Sequence, residues 1–369
     1  MMCNLGECIE EVLPKVFACD SSYFDLNDSI VEGQRFYLGN VKIELPEIKD
    51  VNYNLRCNRM LLHLYNKIKT DIDLVIEKCG RDRIGVVVAT TNSGVEEFER
   101  TSFQVHCELG NPALFLKELL GLNSYHASIS TACTSGIKAF ATGKKLLENG
   151  ICDAVIVGGA DSMSKLPVFG FNSLEVLSGE KSNPFSKNRS GMNIAEGAAL
   201  FILERDIEKG IKLLGIGETS DAYHAATPDP NGVEASNAMK NALEDASSKP
   251  EDIDYVNLHG TGTISNDLME ANAIYNVFKD NVYVSSTKSM TGHCLGAASS
   301  VEMALCCAML DKNLNPQRQL LPHVYDGQYD EDLPKIKLVD KLVLNENMKT
   351  CMCNSFGFGG TNAVAILGV

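Results

Sequence analysis

Several common functional signatures are missing from this 369-residue chain. Its thirteen cysteines include no C-x-x-C pair, and no Cys/His set has the spacing of a zinc site. The nearest groupings, Cys306-Cys307 and Cys351/Cys353, fit neither pattern, so no metal is expected. No apolar run approaches the roughly 18 residues that a membrane span needs. Met1-Met2-Cys3-Asn4 leads into acidic residues rather than an apolar leader, so no signal peptide is expected. Basic residues are outnumbered, 33 against 48 acidic, for a net charge of −15. A field of that sign repels nucleic acid and anionic membrane, so neither nucleic-acid binding nor stable membrane insertion is expected. Gly357-Phe-Gly-Gly-Thr-Asn lacks the Gly-Lys-Ser/Thr ending of a phosphate loop and completes no dinucleotide fingerprint. These absences point to a reducing cytoplasm, with most cysteines as free, small, buried hydrophobes.

What is present reads as an α/β protein. Hydrophobic residues make up 44%, which suits a globular chain, and the length allows two or three units. Residues 1–52 are poorly patterned. Leu61, Leu64, Tyr65, Ile68, Ile72 and Val75 predict a helix over 56–78. Ile84-Gly-Val-Val-Val-Ala predicts a strand buried on both faces. A helix over 111–120 carries Pro112 in its first turn. Further on, 127–132, 152–160, 198–204, 255–259 and 282–287 read as strands, and 134–149, 234–247 and the stretch ending near 310 as helices. The strand–turn–helix at Ile129-Ser-Thr-Ala-Cys-Thr-Ser-Gly is echoed at Ser285-Ser-Thr-Lys-Ser-Met-Thr-Gly-His. That echo predicts an internal duplication of two αβ halves, 1–208 and 209–369.

The chemistry sits on the turns. Cys133 lies where a strand hands over to a helix, beside unpaired N–H groups and the positive helix end. A thiol there is expected to have its pKa lowered from about 8.5 towards neutrality. Small neighbours, Ala132, Ser135 and Gly136, leave room for a substrate. An inert buried thiol is the competing reading. His259 ends a strand in His-Gly-Thr-Gly-Thr, and His293 ends the turn Lys-Ser-Met-Thr-Gly-His. Two neutral imidazoles can donate to one oxygen as charge builds on it. Lys288 and Glu302 form either a buried orienting pair or a solvated surface pair. Asp267 and Glu270, one helical turn apart, either hold a cation, buttress Lys288 or face solvent.

At this point the motifs resemble a family. Ser130-Thr-Ala-Cys133-Thr-Ser-Gly, His259-Gly-Thr-Gly-Thr, Ser286-Thr-Lys288-Ser-Met-Thr-Gly-His293 and Asn354-Ser-Phe-Gly-Phe-Gly-Gly-Thr-Asn resemble the elongating β-ketoacyl-acyl carrier protein synthases. Asn183-Pro-Phe-Ser-Lys-Asn-Arg-Ser-Gly and Ala195-Glu-Gly-Ala fit as well, and the similarity runs from about Ile84 to the C-terminus. The resemblance implies a thiolase-like fold, two pseudo-duplicated αβ halves in αβαβα layers, and usually a dimer. It implies Cys133 as acyl-accepting nucleophile, His259 and His293 as the decarboxylation pair, and Lys288 and Glu302 as supporting charges. It implies Thr261 and Thr263 along the phosphopantetheine tunnel, Phe358 and Phe171 as gates, and the N–H groups of Cys133 and Phe358 as oxyanion hole. No permanent cofactor is implied, because substrates arrive on the phosphopantetheine arm of acyl carrier protein. The family's carrier-docking helix begins near Arg56 and Arg59, which makes both docking candidates.

The chain also departs from the family pattern. The first core strand is not evident and is expected to be absent or truncated. The short stretch between Gly94 and Asn111, with Pro322-His-Val-Tyr-Asp-Gly-Gln and Asp221-Ala-Tyr-His-Ala-Ala-Thr-Pro-Asp-Pro, looks like the ketosynthases of aryl polyene pigment clusters. Members of that group can pair with a chain-length-factor subunit, so homodimer and heterodimer both stay open. The alternative function is that non-catalytic chain-length-factor role, against which Cys133, His259 and His293 argue. A degradative thiolase would need a C-terminal Cys-x-Gly-Gly turn, and Cys353 is followed by Asn354-Ser-Phe-Gly. A starter-type synthase would carry Asn in place of His293.

Overall fold

The computed structural model describes every residue of the chain except 206, 208 and 209. The boundary expected between 208 and 209 therefore lies outside the described residues. Among the described residues, strands from Met2 to Glu204 build one five-stranded sheet, and strands from Lys212 to Gly368 build a six-stranded sheet. The first sheet runs in the order Met2–Cys3, Gly197–Glu204, Ala154–Asp161, Ile84–Ala89, His126–Ile129. The second runs Lys212–Ser220, Thr361–Gly368, Thr350–Gly357, Tyr255–Asn257, Tyr283–Ser285, with Lys337–Leu338 added at the edge. Numbered along each half, these strands lie in the same order: first, fifth, fourth, second, third. Their directions match too, with two antiparallel pairings followed by two parallel ones. The duplication suggested by two Ser/Thr-rich turns is a shared topology.

Side-chain alternation assigns the layers. In Ile84–Ala89, Ile84, Val86 and Val88 join one core, while Val87 and Ala89 join another. Every residue of that strand is buried, as its uninterrupted apolar run requires when helices cover both faces. Outside it lie helices Arg56–Lys67 and Asn111–Leu120, which contribute Met60, Leu61, Phe115 and Leu116. Between the sheets lie helices Ser135–Glu148 and Ala298–Leu310. The second is apolar almost all round, as a helix enclosed on every side must be. Helices Val233–Asp245 and Ile264–Phe278 cover the far face of the second sheet through Met239, Leu243, Met269 and Ile274. The result is five layers, αβαβα.

Several expectations change in detail. The helix expected over 56–78 is two helices, Arg56–Lys67 and Lys69–Cys79, because Ile68 leaves the helical conformation with ψ near 17°. Of the two outcomes expected for the first core strand, it is truncated and not absent: Met2–Cys3 pairs antiparallel with Ala198 and Gly197. The poorly patterned opening contains a helix, Ile9–Phe17, and a small hairpin of Asp25–Asn27 with Phe36–Leu38. The segment after Gly94 folds into a short helix, Val95–Thr101.

The two central helices meet at Gly136. A Cβ there would stand 2.6 Å from the Ser300 backbone nitrogen and 2.4 Å from Ser299 Oγ. Ser299 Oγ also accepts from Ile137 N at 3.1 Å. Gly136 thus makes room for the opposing helix, not for a substrate. We predict that Gly136→Ala destabilises the fold by roughly 1–3 kcal/mol, the usual cost of overpacking a core. Thermal unfolding would show a clear drop in midpoint; an unchanged midpoint would mean the helices do not approach this closely.

Candidate active site

Cys133 follows a strained turn residue. Ala132 has φ of +54°, a left-handed conformation that costs a residue with a Cβ about 1–2 kcal/mol. Local hydrogen bonds hold it. Ser135 Oγ donates to Ala132 O at 2.6 Å and accepts from Thr131 N at 2.8 Å. Thr134 Oγ1 donates to Thr131 O at 2.7 Å. The other half of the chain grips the carbonyl of Cys133, since Ser355 Oγ donates to Cys133 O at 2.9 Å. Cys133 is buried, and its thiol does not have the lowered pKa expected for a helix start. Burial pushes it up to about 11, although Lys288 and the N–H groups of Phe358 and Cys133 pull the other way.

Both expected histidines converge on this thiol. His293 Nε2 is 3.1 Å from Cys133 Sγ, and the His259 and His293 rings are 5.4 Å apart, edge to face. Their tautomers follow from their partners. Leu295 N–H donates to His293 Nδ1 at 3.0 Å, so that ring carries its proton on Nε2. Lys288 Nζ lies 3.3 Å from His259 Nδ1 and donates to His259 O at 2.6 Å. A lysine ammonium only donates, so His259 also carries its proton on Nε2. Burial drives both imidazole pKa values down, helped by the Lys288 charge: His293 to about 3 and His259 well below its usual range. Two neutral Nε2–H donors result.

The same geometry bears on metal binding. Cys133 Sγ and one nitrogen from each histidine lie within 4.8 Å of one another, a spacing an ion could bridge. The Nε2 lone pairs are not free for it, however, because both Nδ1 atoms are held as acceptors. The donor set suits an anionic oxygen better than a cation.

Lys288 is fixed by Glu302, with side chains 1% and 2% exposed, which makes this a buried pair and not a solvated one. Burial pushes the Glu302 pKa up against the pull of Lys288. Asp267 and Glu270 are not a solvated helix face either. Glu270 accepts from His259 N at 2.8 Å, Gly260 N at 2.7 Å and Asn354 Nδ2 at 3.3 Å. Asp267 accepts from Phe185 N at 2.8 Å and Gly262 N at 3.2 Å. The pair locks the backbone of the His-Gly-Thr-Gly turn. An acid inside a helix core is costly unless such donors surround it. Met269, Ala271 and Ile274 of the same helix are buried as well.

Two cavities meet at Cys133. One has a mixed lining: the hydroxyl, amide and carboxylate groups of Asp221, Thr261, Thr263, Ser265 and Asn266 alternate with Val176, Met192, Pro228 and Phe356, beside Cys133, His259, His293 and Phe358. Thr261 and Thr263 hydroxyls are 3.0 Å apart along it. The other is an apolar cleft of about 410 Å³ lined by Leu166, Pro167, Phe171, Leu174, Ala226 and Phe358. Phe358 lines both cavities, and Phe171 of the apolar cleft lies 5.4 Å from it, tilted by 47°, and 6.5 Å from His293. The Phe358 and Cys133 N–H groups both bear on Sγ.

Arg56 and Arg59 stand apart from this site and are spent within the fold. Arg56 makes two hydrogen bonds to buried Glu196, at 2.6 and 2.8 Å, and one to Val41 O. Arg59 donates to Pro46 O and Leu45 O. Their guanidiniums brace an internal loop, which removes the reason for reading them as docking cations.

The Lys288–Glu302 pair yields a test. Lys288→Met should destabilise the chain by roughly 3–5 kcal/mol, because it strands a buried carboxylate. Lys288→Met/Glu302→Leu should recover most of that loss in a melting experiment, while activity stays low in both because His259 Nδ1 has lost its partner. A single variant that melts like the wild type would contradict the pairing.

Comparisons with known proteins agree with this geometry. Residues 56–208 match the model for "Beta-ketoacyl synthase, N-terminal domain", and residues 211–320 match its C-terminal domain. The 3-oxoacyl-(acyl-carrier-protein) synthase 2 of Coxiella burnetii is 36% identical over 263 residues, 67% of this chain. The chain spans only 62% of that relative's length. The Vibrio cholerae protein of the same name is 33% identical over 329 residues, 80% of this chain and 78% of its own. A chain from the Xenorhabdus doucetiae complex of a ketosynthase with its chain length factor superposes with a TM-score of 0.94 at 36% identity. That match covers 100% of this chain and 96% of that one. The chain belongs to the β-ketoacyl synthase family.

Proposed function

We propose that this chain is a β-ketoacyl-carrier-protein synthase that joins an acyl group on Cys133 to a decarboxylating malonyl unit. The observation that carries this reading is the position of Cys133, where a hydroxyl-bearing cavity of mixed lining meets an apolar cleft, facing two Nε2–H donors. The Thr261, Thr263 and Asn266 groups set among apolar residues suit the amide- and hydroxyl-bearing arm of acyl carrier protein, and the apolar cleft suits an acyl chain. No permanently bound cofactor is needed.

The steps follow from the residues. Acyl transfer breaks the carrier thioester and forms a new thioester at Cys133 Sγ, with the leaving arm taking up a proton. The developing oxyanion is held by the N–H groups of Cys133 and Phe358. The carrier leaves, and malonyl carrier protein brings its thioester carbonyl to the Nε2–H groups of His259 and His293. Loss of CO2 breaks the carbon–carbon bond and leaves an enolate whose oxygen both histidines hold. Burial makes these fixed dipoles far stronger than water would be. The enolate carbon attacks the acyl-cysteine, and the Cys133 thiolate leaves. Phe171 and Phe358 gate passage between cavity and cleft.

The similarity to the Xenorhabdus complex supports a second part of this reading: the chain works beside a ketosynthase-like or chain-length-factor subunit in polyene-type elongation. Among the described residues no helix is long and apolar enough to cross a membrane, which fits carrier-borne substrates.

Cys133→Ala should abolish acyl loading in intact-mass spectra and abolish condensation. Full loading of that variant would overturn the assignment. His259→Ala and His293→Ala should each cut malonyl decarboxylation by on the order of a hundredfold or more, as loss of a transition-state donor does, while acyl transfer falls less. Equal losses in the two half-reactions would contradict this division of labour.

A further inference from the structure

Strand Ala154–Asp161 is apolar throughout until its last residue, and that residue is a fully buried acid. Asp161 touches neither the thiol nor a histidine, and the mechanism above does not use it. Its carboxylate nevertheless gathers five donors. Thr90 Oγ1 donates at 2.7 Å, Thr91 N at 2.9 Å, Thr91 Oγ1 at 3.0 Å and Asn92 N at 2.8 Å. These four belong to the N-terminal half. The fifth, Gly296 N at 2.7 Å, comes from the C-terminal half, 135 residues away.

Gly296 follows Leu295, whose N–H fixes the His293 tautomer. Leu295 holds φ of +54°, a left-handed conformation that a branched side chain leaves unless something retains it. The next peptide N–H is retained by Asp161. Gly296 is also crowded against the carboxylate: a Cβ there would lie 2.8 Å from Asp161 Oδ2 and 3.0 Å from Thr91 N. One buried carboxylate therefore pins the turn whose preceding N–H points at His293 Nδ1.

We propose that Asp161 is a positioning residue for catalysis, anchoring the Leu295–Gly296 turn so that His293 keeps its proton on Nε2, facing Cys133. The link runs from the N-terminal half, through one carboxylate, to a histidine of the C-terminal half. The inference rests on the ketosynthase reading for its catalytic consequence, but not for its tautomer.

Asp161→Asn tests it directly. All five contacts are donors to the carboxylate, so the amide nitrogen must face a donor and the turn loses a partner. With 15N-histidine labelling, the wild-type enzyme should show His293 unprotonated at Nδ1 and protonated at Nε2. The variant should show a mixed or inverted pattern. Condensation kcat should fall by on the order of tenfold or more, as when a tautomer-fixing partner is lost, while acylation of Cys133 stays within about twofold. Asp161→Glu should recover part of both signals. A folded Asp161→Asn variant with the wild-type His293 pattern would overturn the proposal, as would parallel losses in acylation and condensation. If Asp161→Asn fails to fold, Gly296→Ala disturbs the same link while leaving the carboxylate in place. A wild-type tautomer pattern in that variant would equally overturn it. The nitrogen readout needs no substrate, so a wild-type enzyme that failed to acylate would count against the proposed function and not against this link.

Discussion

Two buried imidazoles must keep their protons on the nitrogen that faces the thiol, and most of the surrounding structure serves that requirement. Burial keeps both rings neutral. Lys288 and the Leu295 N–H occupy the two Nδ1 atoms. Each of those partners needs support in turn. Lys288 is a cation without water and is matched by Glu302. The backbone of the His259 turn is held by Glu270. A chain of single-purpose polar contacts thus runs through an apolar core, and each contact is costly to break because no water can replace it.

The duplicated fold explains how such a site can be assembled. Each half delivers strand ends and helix starts towards the other, and the turns between them carry Cys133, His259 and His293. Cys133 follows the third strand of one half, and Lys288 and His293 follow the third strand of the other. The halves must then approach closely, which the contact of Gly136 with Ser299 and Ser300 permits. Ser355, donating to the Cys133 carbonyl, repeats the principle: a residue of one half fixes the nucleophile of the other.

The sequence showed the strands and the catalytic turns because both are local. Apolar runs mark buried strands, and Ser/Thr/Gly turns next to small-residue helices mark strand–helix junctions. It did not show what depends on three-dimensional neighbours. Asp267 and Glu270 have the spacing of a solvated helix face, and the donors gathered around them, from the preceding turn and from Phe185 and Asn354, make burial tolerable. Arg56 and Arg59 look like a docking pair until Glu196 and the carbonyls of Val41, Leu45 and Pro46 are in place. The thiol was expected to be acidified by a helix end, but exclusion of water outweighs that effect. Gly136 resembled space for a substrate because a missing side chain does not say what fills the gap.

The account stands or falls on carbon–carbon bond formation coupled to decarboxylation at Cys133. The most direct measurement is a single turnover of the protein purified from its host, with Cys133 pre-loaded with an acyl group and malonyl carrier protein then added. The account predicts one CO2 released per acyl-cysteine consumed, and a β-ketoacyl carrier protein two carbons longer than the loaded chain. Release of CO2 with the acyl-cysteine left intact, or no product at all from a fully loaded enzyme, would contradict it.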